Sequence, residues 1–274
     1  MQIMSLMTAL PGAAAQGLIW GIMAIGVYIT FRILDIADLT VDGTLCTGGA
    51  VCIMMMLSGH NVWVSMLAAT GAGLLAGLAT GIFHTFMGIP AILAGILTQL
   101  SLYSVNLKIM GKANQAINVD KFNLLVSLRR VKGVVLTQNT LFIVAIMIVI
   151  LIAVLYWFFG TELGCSLRAT GCNPSMSRAQ GINTDRNKVL GLMLSNGLVA
   201  LSGALLTQYQ GFADINMGRG SIVIGLAAVI IGEAIFSRIF RNFALKLLSV
   251  VFGSILYYLV LQIVIWMGID TDLL

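Results

Sequence analysis

The sequence has few charged residues and few prolines for a chain of its length. Only 9% of its 274 residues are Asp, Glu, Lys or Arg, 59% are hydrophobic, and the mean hydropathy is +1.02. A soluble fold of this size has too little interior to bury so much apolar surface. A lipid bilayer accepts such a chain if each backbone polar group is bonded within a helix or a closed barrel. The scarcity of charge therefore indicates an integral membrane protein.

Catalytic signatures are also missing. The only histidines are His60 and His84, and neither an HExxH pair of zinc ligands nor a GxSxG nucleophile turn is present. We expect each His to be an interfacial or helix-buried polar group, and no motif supports an intramembrane enzyme. The Walker A pattern is absent too, so any ATP that drives this protein must bind to another subunit.

Cysteines and basic residues exclude two further kinds of site. The four cysteines form no CxxC pair and no metal-type spacing with His, so we expect free thiols and no metal. The net charge of +5 comes from basic residues that cluster between hydrophobic runs. That distribution is the usual charge bias of membrane loops, and it argues against nucleic-acid binding.

Long apolar runs dominate the sequence, without the alternation expected of barrel strands. A transmembrane helix needs roughly 20 apolar residues. The runs that qualify or nearly qualify are 10–33, 43–58, 62–87, 89–107, 141–159, 189–209, 222–236 and 245–267. We therefore predict an all-α integral membrane protein with about eight transmembrane helices in a single domain, 1–274. The second and seventh runs are short and begin beside glycine and acidic residues, which indicates broken or re-entrant helices.

Two polar stretches, 108–138 and 161–188, separate the runs. One helix lies between them, so they are expected on opposite sides of the membrane. The first stretch is rich in Lys and Arg, and charge counting alone would place it in the cytoplasm. Three groups of basic residues oppose that placement, because Arg32, the Arg238, Arg241 and Lys246 cluster and the second stretch all fall on one side by parity. We predict 161–188 as cytoplasmic, 108–138 as extracytoplasmic and both termini outside; a re-entrant second run would invert the amino terminus.

Ionisable and polar residues at the two short runs are the best pointers to function, because a charge at the bilayer centre costs about 2.5–3.5 kcal/mol on insertion scales. The candidate residues of a substrate path are Asp38, Thr40, Asp42, Thr44, Gly218, Gly220 and Glu233. Two interpretations stay open: these residues line a translocation path, or Asp38 and Thr40 cap the helix that begins near Asp42. In an ion-coupled carrier, the three acidic residues would instead be proton or sodium sites.

The polar loop at about 164–188 contains a helix signal. Asn173 can cap a helix and Pro174 is tolerated in its first turn. We therefore predict a short helix from about Pro174 to Gln180, ended by Gly181. Such a helix, held between two long spans, is suited to being moved by a soluble partner, whereas a passive solvated loop is the alternative.

This loop and several other segments resemble a known family. The stretch LRATGCNPSMSRAQGINTDRNKVLGLMLSNGLVALSGALLTQYQG is similar to the part of bacterial ABC importer permeases for branched-chain amino acids and simple sugars in which a cytoplasmic coupling helix precedes a Gly- and Ala-rich span. GRGSIVIGLAAVIIGEAIF resembles the next re-entrant element of that family. FRILDIADLTVDGTLCTGGA is similar to one subgroup, the tryptophan or tyrosine transport permeases. The resemblance covers about residues 15–260.

The resemblance implies a permease subunit for a small solute, most readily an amino acid, with aromatic amino acids as the substrates of the subgroup. It implies an ABC ATPase partner that binds ATP and Mg, an extracytoplasmic substrate-binding lipoprotein, a second permease copy in a homodimer, and a bacterial cytoplasmic membrane. This chain itself would hold no cofactor and catalyse no reaction. The implied ATPase-coupling residues are Gly171, Asn173, Pro174, Ser175, Met176, Ser177, Arg178, Ala179, Gln180 and Gly181. An ion-coupled secondary transporter is the alternative.

Overall fold

The computed structural model describes residues 2–117, 122, 124–131, 139–236, 240 and 242–267, which are mostly helical. The helices are α1 (Gln2–Tyr28), continued by a π-helical turn (Ile29–Ile33), α2 (Val41–Leu57), α3 (Val62–Thr85), α4 (Ala91–Met110), α5 (Thr140–Gly160), α6 (Glu162–Cys172), α7 (Pro174–Ala179), α8 (Thr184–Gln210), α9 (Ser221–Phe236) and α10 (Phe243–Trp266). Two short strands, β1 (Asn114–Ala116) and β2 (Phe212–Asp214), and a 3-10 turn (Leu128–Val131) complete the described elements.

Each predicted apolar run coincides with one of these helices. Six of the described helices are long and apolar enough to cross a membrane: α1 with its π-helical turn, α3, α4, α5, α8 and α10. The other two runs form α2 and α9, which have only 17 and 16 residues. A helical membrane protein is therefore confirmed, whereas the count of eight crossings stays a prediction.

Helix α8 lies at the centre of the molecule because small residues let its neighbours approach its backbone. A side chain at Gly73 of α3 would collide with the backbone of Asn196, and one at Gly48 of α2 would collide with Ala200. Ser195 of α8 donates its hydroxyl to the Gly26 carbonyl of α1 at 2.8 Å. Close approach through small residues and inter-helix hydrogen bonds is how helices associate in a bilayer, where apolar burial supplies little drive.

Helices α1 and α8 run antiparallel. Ser202 donates to the Ile19 carbonyl and Tyr209 donates to the Gly12 carbonyl, so the amino-terminal part of α1 lies beside the carboxyl end of α8. The antiparallel strands β1 and β2 pair at that same end, and α6 and α7 lie at the other. Residues 114–116 and 162–179 therefore lie at opposite ends of α8, as predicted from the single helix between them. The amino-terminal part of α1 lies at the β1–β2 end, so the short helix α2 does not reverse the predicted direction of α1.

Which end faces the cytoplasm stays a prediction. Most of 118–138, including Lys121 and Lys132, and the basic residues Arg238 and Arg241 lie outside the described residues.

Two local features differ from the sequence prediction. Residues 164–172, expected as loop, belong to α6, which is capped by Thr161 through a hydrogen bond from Gly164 N to Thr161 Oγ1 at 3.4 Å. Only one side of α6 is buried, through Leu167 and Thr170. The segment therefore contains no long apolar run by which the helix could have been predicted from the sequence. The β1–β2 pair also adds a little β-structure to a fold predicted as all-α. Strands of three residues carry too few side chains to show a period.

Candidate functional site

The two short helices begin in the interior of the molecule. Thr44, in the first turn of α2, donates its hydroxyl to Asn196 Oδ1 at 2.7 Å. Asn196 lies 12 residues after the start of α8 and 14 before its end. At about 1.5 Å per residue, the start of α2 is thus roughly 20 Å from either end of α8. The first residues of α9 reach the same level, because they bind Asp42.

Asp42 joins the amino-terminal ends of these two helices. Its Oδ1 accepts hydrogen bonds from Ser221 Oγ at 2.8 Å and Ile222 N at 3.0 Å, and its Oδ2 accepts one from Gly220 N at 3.1 Å. The first N–H groups of a helix have no partner within the helix, and the positive end of its dipole favours an anion. Asp42 therefore caps α9, although it belongs to the first turn of α2.

The predicted glycines permit this contact. Gly218 packs directly on the Asp42 carbonyl oxygen, where a Cβ atom would collide. Gly220 has a φ of +76°, in the left-handed region that glycine adopts without steric cost. Three of the predicted path residues, Asp42, Gly218 and Gly220, are thus brought together by the fold.

Three other predicted residues, Asp38, Thr40 and Thr44, form a second cluster beside the start of α2. Asp38 is only 2% exposed and accepts hydrogen bonds from Thr40 N at 2.9 Å and Asn196 Nδ2 at 2.7 Å. A buried carboxylate is tolerated only when it is well hydrogen-bonded. Because Asn196 also accepts from Thr44, its amide joins the two ends of the 38–44 segment to α8. Sequence analysis missed Asn196, because it lies within a long apolar run.

A chain of threonines extends this cluster to two more helices. The hydroxyl of Thr40 shares a 2.8 Å hydrogen bond with Thr80 of α3, and Thr80 donates to Thr98 of α4 at 2.9 Å. All three side chains are buried. Sequence reasoning missed Thr80 and Thr98, since a lone threonine in a membrane helix commonly bonds to its own helix backbone.

Glu233 lies apart from the other predicted path residues. It is 13 residues beyond Gly220, which corresponds to about 20 Å along α9. Its Oε1 accepts a hydrogen bond from Arg32 Nε at 3.0 Å, in an ion pair between the ends of α9 and the π-helical turn. This pair lines a separate cavity of about 470 Å³ with Lys246.

Asp42 also lines a cavity of about 300 Å³ between α2, α4 and the turn that follows β2. The other residues of this cavity, which we call the α2–α4 cavity, are Gly43, Cys46, Gln99, Leu100, Tyr103, Asn106, Ile215 and Arg219. A positive and a negative side chain, amides and apolar groups thus face one space. Only Asp42 was predicted from the sequence, because the α4 residues lie in an otherwise apolar run.

The predicted short helix is present as α7. Asn173 Oδ1 accepts a hydrogen bond from Met176 N at 3.0 Å, Pro174 opens the helix, and Gly181 ends it with a φ of +81°. The helix is one residue shorter than predicted, since Gln180 is its carboxyl-terminal cap. Of its six residues only Ser177 is buried, and Met176 is 61% exposed.

Helix α7 is connected to two central helices through α6. Asn187 of α8 donates its amide to Ser166 Oγ at 2.6 Å and Thr170 Oγ1 at 2.8 Å of α6. Gly171, at the end of α6, packs directly on the Ile33 carbonyl oxygen at the end of the π-helical turn. A displacement of α7 can therefore reach α8 and the end of α1.

Membrane-length helices with two shorter helices meeting inside the bundle define this molecule as an integral membrane protein with a polar cluster in its interior. Residues 10–273 match the family described as the branched-chain amino acid transport system permease component. The chain belongs to this family of ABC transporter permeases, whose members carry no ATPase site and work with a separate ATPase subunit. It is therefore a multi-pass membrane protein and not an enzyme.

Curated relatives cover nearly the whole chain. It is 38% identical to a tyrosine transport system permease protein of Clostridioides difficile, over 97% of this chain and 87% of that protein. An uncharacterized protein of Rickettsia prowazekii is also 38% identical, over 96% and 91%. A fructose import permease of Bifidobacterium longum is 25% identical, over 86% and 64%. Among solved structures, PsaBC from Streptococcus pneumoniae in complex with Fab aligns over 95% of both chains, with 18% identity and a TM-score of 0.46.

Proposed function

We propose that this chain is the permease of an ATP-driven importer for an amino acid, with aromatic amino acids as the substrate class. The observation that carries the substrate assignment is the 38% identity to a tyrosine transport permease over 97% of the chain. A more distant relative is named for fructose import. The mixed charges of the α2–α4 cavity favour the carboxylate and ammonium groups of an amino acid over an uncharged sugar.

Helix α7 is the dock for the ATPase in this proposal. A soluble partner needs an exposed element, and α7 offers the Met176 side chain at a tip where five of six residues are accessible. Exposed Met is suited to a binding groove because its side chain is flexible and polarizable. ATP and Mg would be held by the ATPase, and no group in this chain would take part in hydrolysis.

A displacement of α7 would open and close the path because the contacts described above transmit it. Asn187 would transmit the displacement to α8, and Gly171 would transmit it to the Ile33 end of the π-helical turn. The next residues along the chain lead to Asp38 and the start of α2. Only interactions that differ between the outward-open and inward-open states can supply the coupling energy.

The end of the molecule that carries β1 and β2 would face outward and receive a substrate-binding lipoprotein. Lys108 and Lys112 are exposed at this end and would attract acidic groups of that protein. Rim charges of this kind act mainly on the association rate and weaken as salt rises. Two copies of the chain, as a homodimer in the bacterial cytoplasmic membrane, would complete the path.

The test is reconstitution of the permease with the ATPase and binding protein encoded beside it. ATP-dependent uptake of labelled L-tyrosine or L-tryptophan into proteoliposomes is expected. If the importer takes up fructose but none of the amino acids, the proposed substrate class is refuted. Uptake that needs an ion gradient and continues without the ATPase would instead support a secondary transporter.

A further inference from the structure

The α2–α4 cavity presents two charged groups with unused binding capacity. The guanidinium of Arg219 has no ion-pair partner among the described residues, and it borders the cavity from the turn after β2. A free guanidinium is well shaped to bind a carboxylate through two parallel hydrogen bonds. Asp42 uses three of its roughly four acceptor positions on α9, which leaves about one for a donor in the cavity.

Asn106 adds an unsatisfied acceptor at the same cavity. It is 1% exposed, and its Nδ2 donates to the Gly43 carbonyl at 3.4 Å, whereas its Oδ1 has no hydrogen-bond partner in the described part of the chain. The Gly43 oxygen can only accept, so this contact places the amide nitrogen toward it and the amide oxygen away from it. A buried amide oxygen without a donor is costly. Asn106 borders the cavity, and a donating ligand group would satisfy its oxygen once the side chains that now cover this atom move aside.

The rest of the lining supplies apolar surface and a suitable volume. Leu100, Tyr103 and Ile215 border the space beside the charged groups. At about 300 Å³ the cavity is at the lower end of the range of small-molecule sites, which is roughly 300–1,000 Å³. A ligand that fits this lining has one anionic group, one cationic donor and one apolar or aromatic substituent.

We propose that the α2–α4 cavity binds the zwitterion of an α-amino acid during transport, with Arg219 holding the carboxylate and Asn106 and Asp42 receiving the ammonium group. Leu100, Tyr103 and Ile215 would contact the side chain of the amino acid. This inference rests on the proposed amino-acid importer and adds that the permease itself recognises the substrate. Because the cavity extends from Asp42 at the middle of the bundle toward the turn after β2, it would receive the amino acid before the two short helices separate.

The main test uses Arg219, which is exposed and forms no ion pair within the described part of the chain. In the complete importer, with binding protein at saturation, Arg219→Gln is expected to lower L-tyrosine uptake by roughly tenfold to a hundredfold, the range of a lost hydrogen bond to a charged group. Arg219→Lys should restore part of the uptake, since it keeps the charge and loses the fork geometry. Asn106→Leu should lower uptake as well, and Asn106→Asp should retain more of it.

Lys112→Gln is the comparison for charge alone, because Lys112 is another exposed cation but lies outside the α2–α4 cavity, beside β1. Its effect should be confined to low salt and low binding-protein concentration. If Arg219→Gln behaved in the same way, or transported normally, the cavity would not be a binding site. The proposed function would survive that result, because it depends on uptake by the unaltered importer.

A direct measurement avoids the selectivity of the binding protein. In a permease with Cys46, Cys165 and Cys172 changed to Ser, a cysteine placed at Gln99 should react with a small thiol reagent more slowly when L-tyrosine is present. Tyramine, which lacks the carboxylate, should protect far less, and Arg219→Gln should abolish the protection by L-tyrosine. Equal reaction rates with and without L-tyrosine, or equal protection by tyramine, would overturn the proposal.

Discussion

Asp42 satisfies three donors of another helix with one carboxylate, and this fixes what its replacement should do. Asp42→Leu leaves the N–H groups of Gly220 and Ile222 without this partner. Gly220 is exposed, whereas Ile222 is half-buried, and a buried donor left unsatisfied costs about 1–3 kcal/mol. We expect lost uptake together with a lower unfolding temperature in detergent. Asp42→Asn keeps one acceptor oxygen and should retain part of the uptake and part of the thermal stability.

The control for Asp42 is Asp35→Asn. Asp35 is exposed and has a φ of +55°, a conformation that Asn tolerates. Its replacement removes the same charge without removing a helix cap. Normal uptake and stability in Asp42→Leu would contradict the capping role. If Asp42→Asn instead lost uphill uptake but still exchanged substrate across the membrane, Asp42 would be an ion site.

Asn196 should be the residue on which the buried cluster depends. Asn196→Leu deprives the Asp38 carboxylate and the Thr44 hydroxyl of their shared partner, so we expect a loss of at least about 1–3 kcal/mol in unfolding free energy. In a double-mutant cycle with Asp38→Leu, the two losses should be strongly non-additive, because both changes remove the same hydrogen bond. Additive losses would show that the bond contributes little.

At the scale of an element, α7 should couple the ATPase to transport. We expect Met176→Ser to reduce uptake and substrate-stimulated ATP hydrolysis while the permease stays folded, because an exposed side chain adds little to its packing. Leu163→Ser is the matched control, since Leu163 is 58% exposed in the first turn of the neighbouring α6. Replacing all of Ser175–Arg178 by Gly and Ser should uncouple the two activities completely, and unchanged activities in that variant would reject the assignment.

At the scale of the whole molecule, the predicted orientation can be read by labelling. After Cys165 and Cys172 are changed to Ser, the remaining native thiols, Cys46 and Cys52, are buried. Lys112→Cys should then react with a membrane-impermeant thiol reagent in intact cells, and Ser175→Cys should react only after permeabilisation. The opposite result would invert the topology, because the two positions lie at opposite ends of α8.

The sequence alone determined the membrane class, the positions of the apolar helices and the short helix at Pro174. These features depend on composition, run length and local capping, all of which are written in neighbouring residues. It also marked Asp42, Gly218 and Gly220, since glycine and an acidic residue beside an apolar run are conspicuous. The resemblance that it carried led to the permease family, which the full-length match confirms.

Only the tertiary structure decided what those residues do together. Asp42 caps a helix that begins 179 residues later, Asp38 is bonded to Asn196 across 158 residues, and Glu233 joins Arg32 instead of the other acidic groups. No local pattern encodes such pairings, because they arise when small residues bring distant backbones into contact. The α2–α4 cavity has the same origin, since Asn106 and Arg219 line one space only because α4 and the turn after β2 meet beside α2.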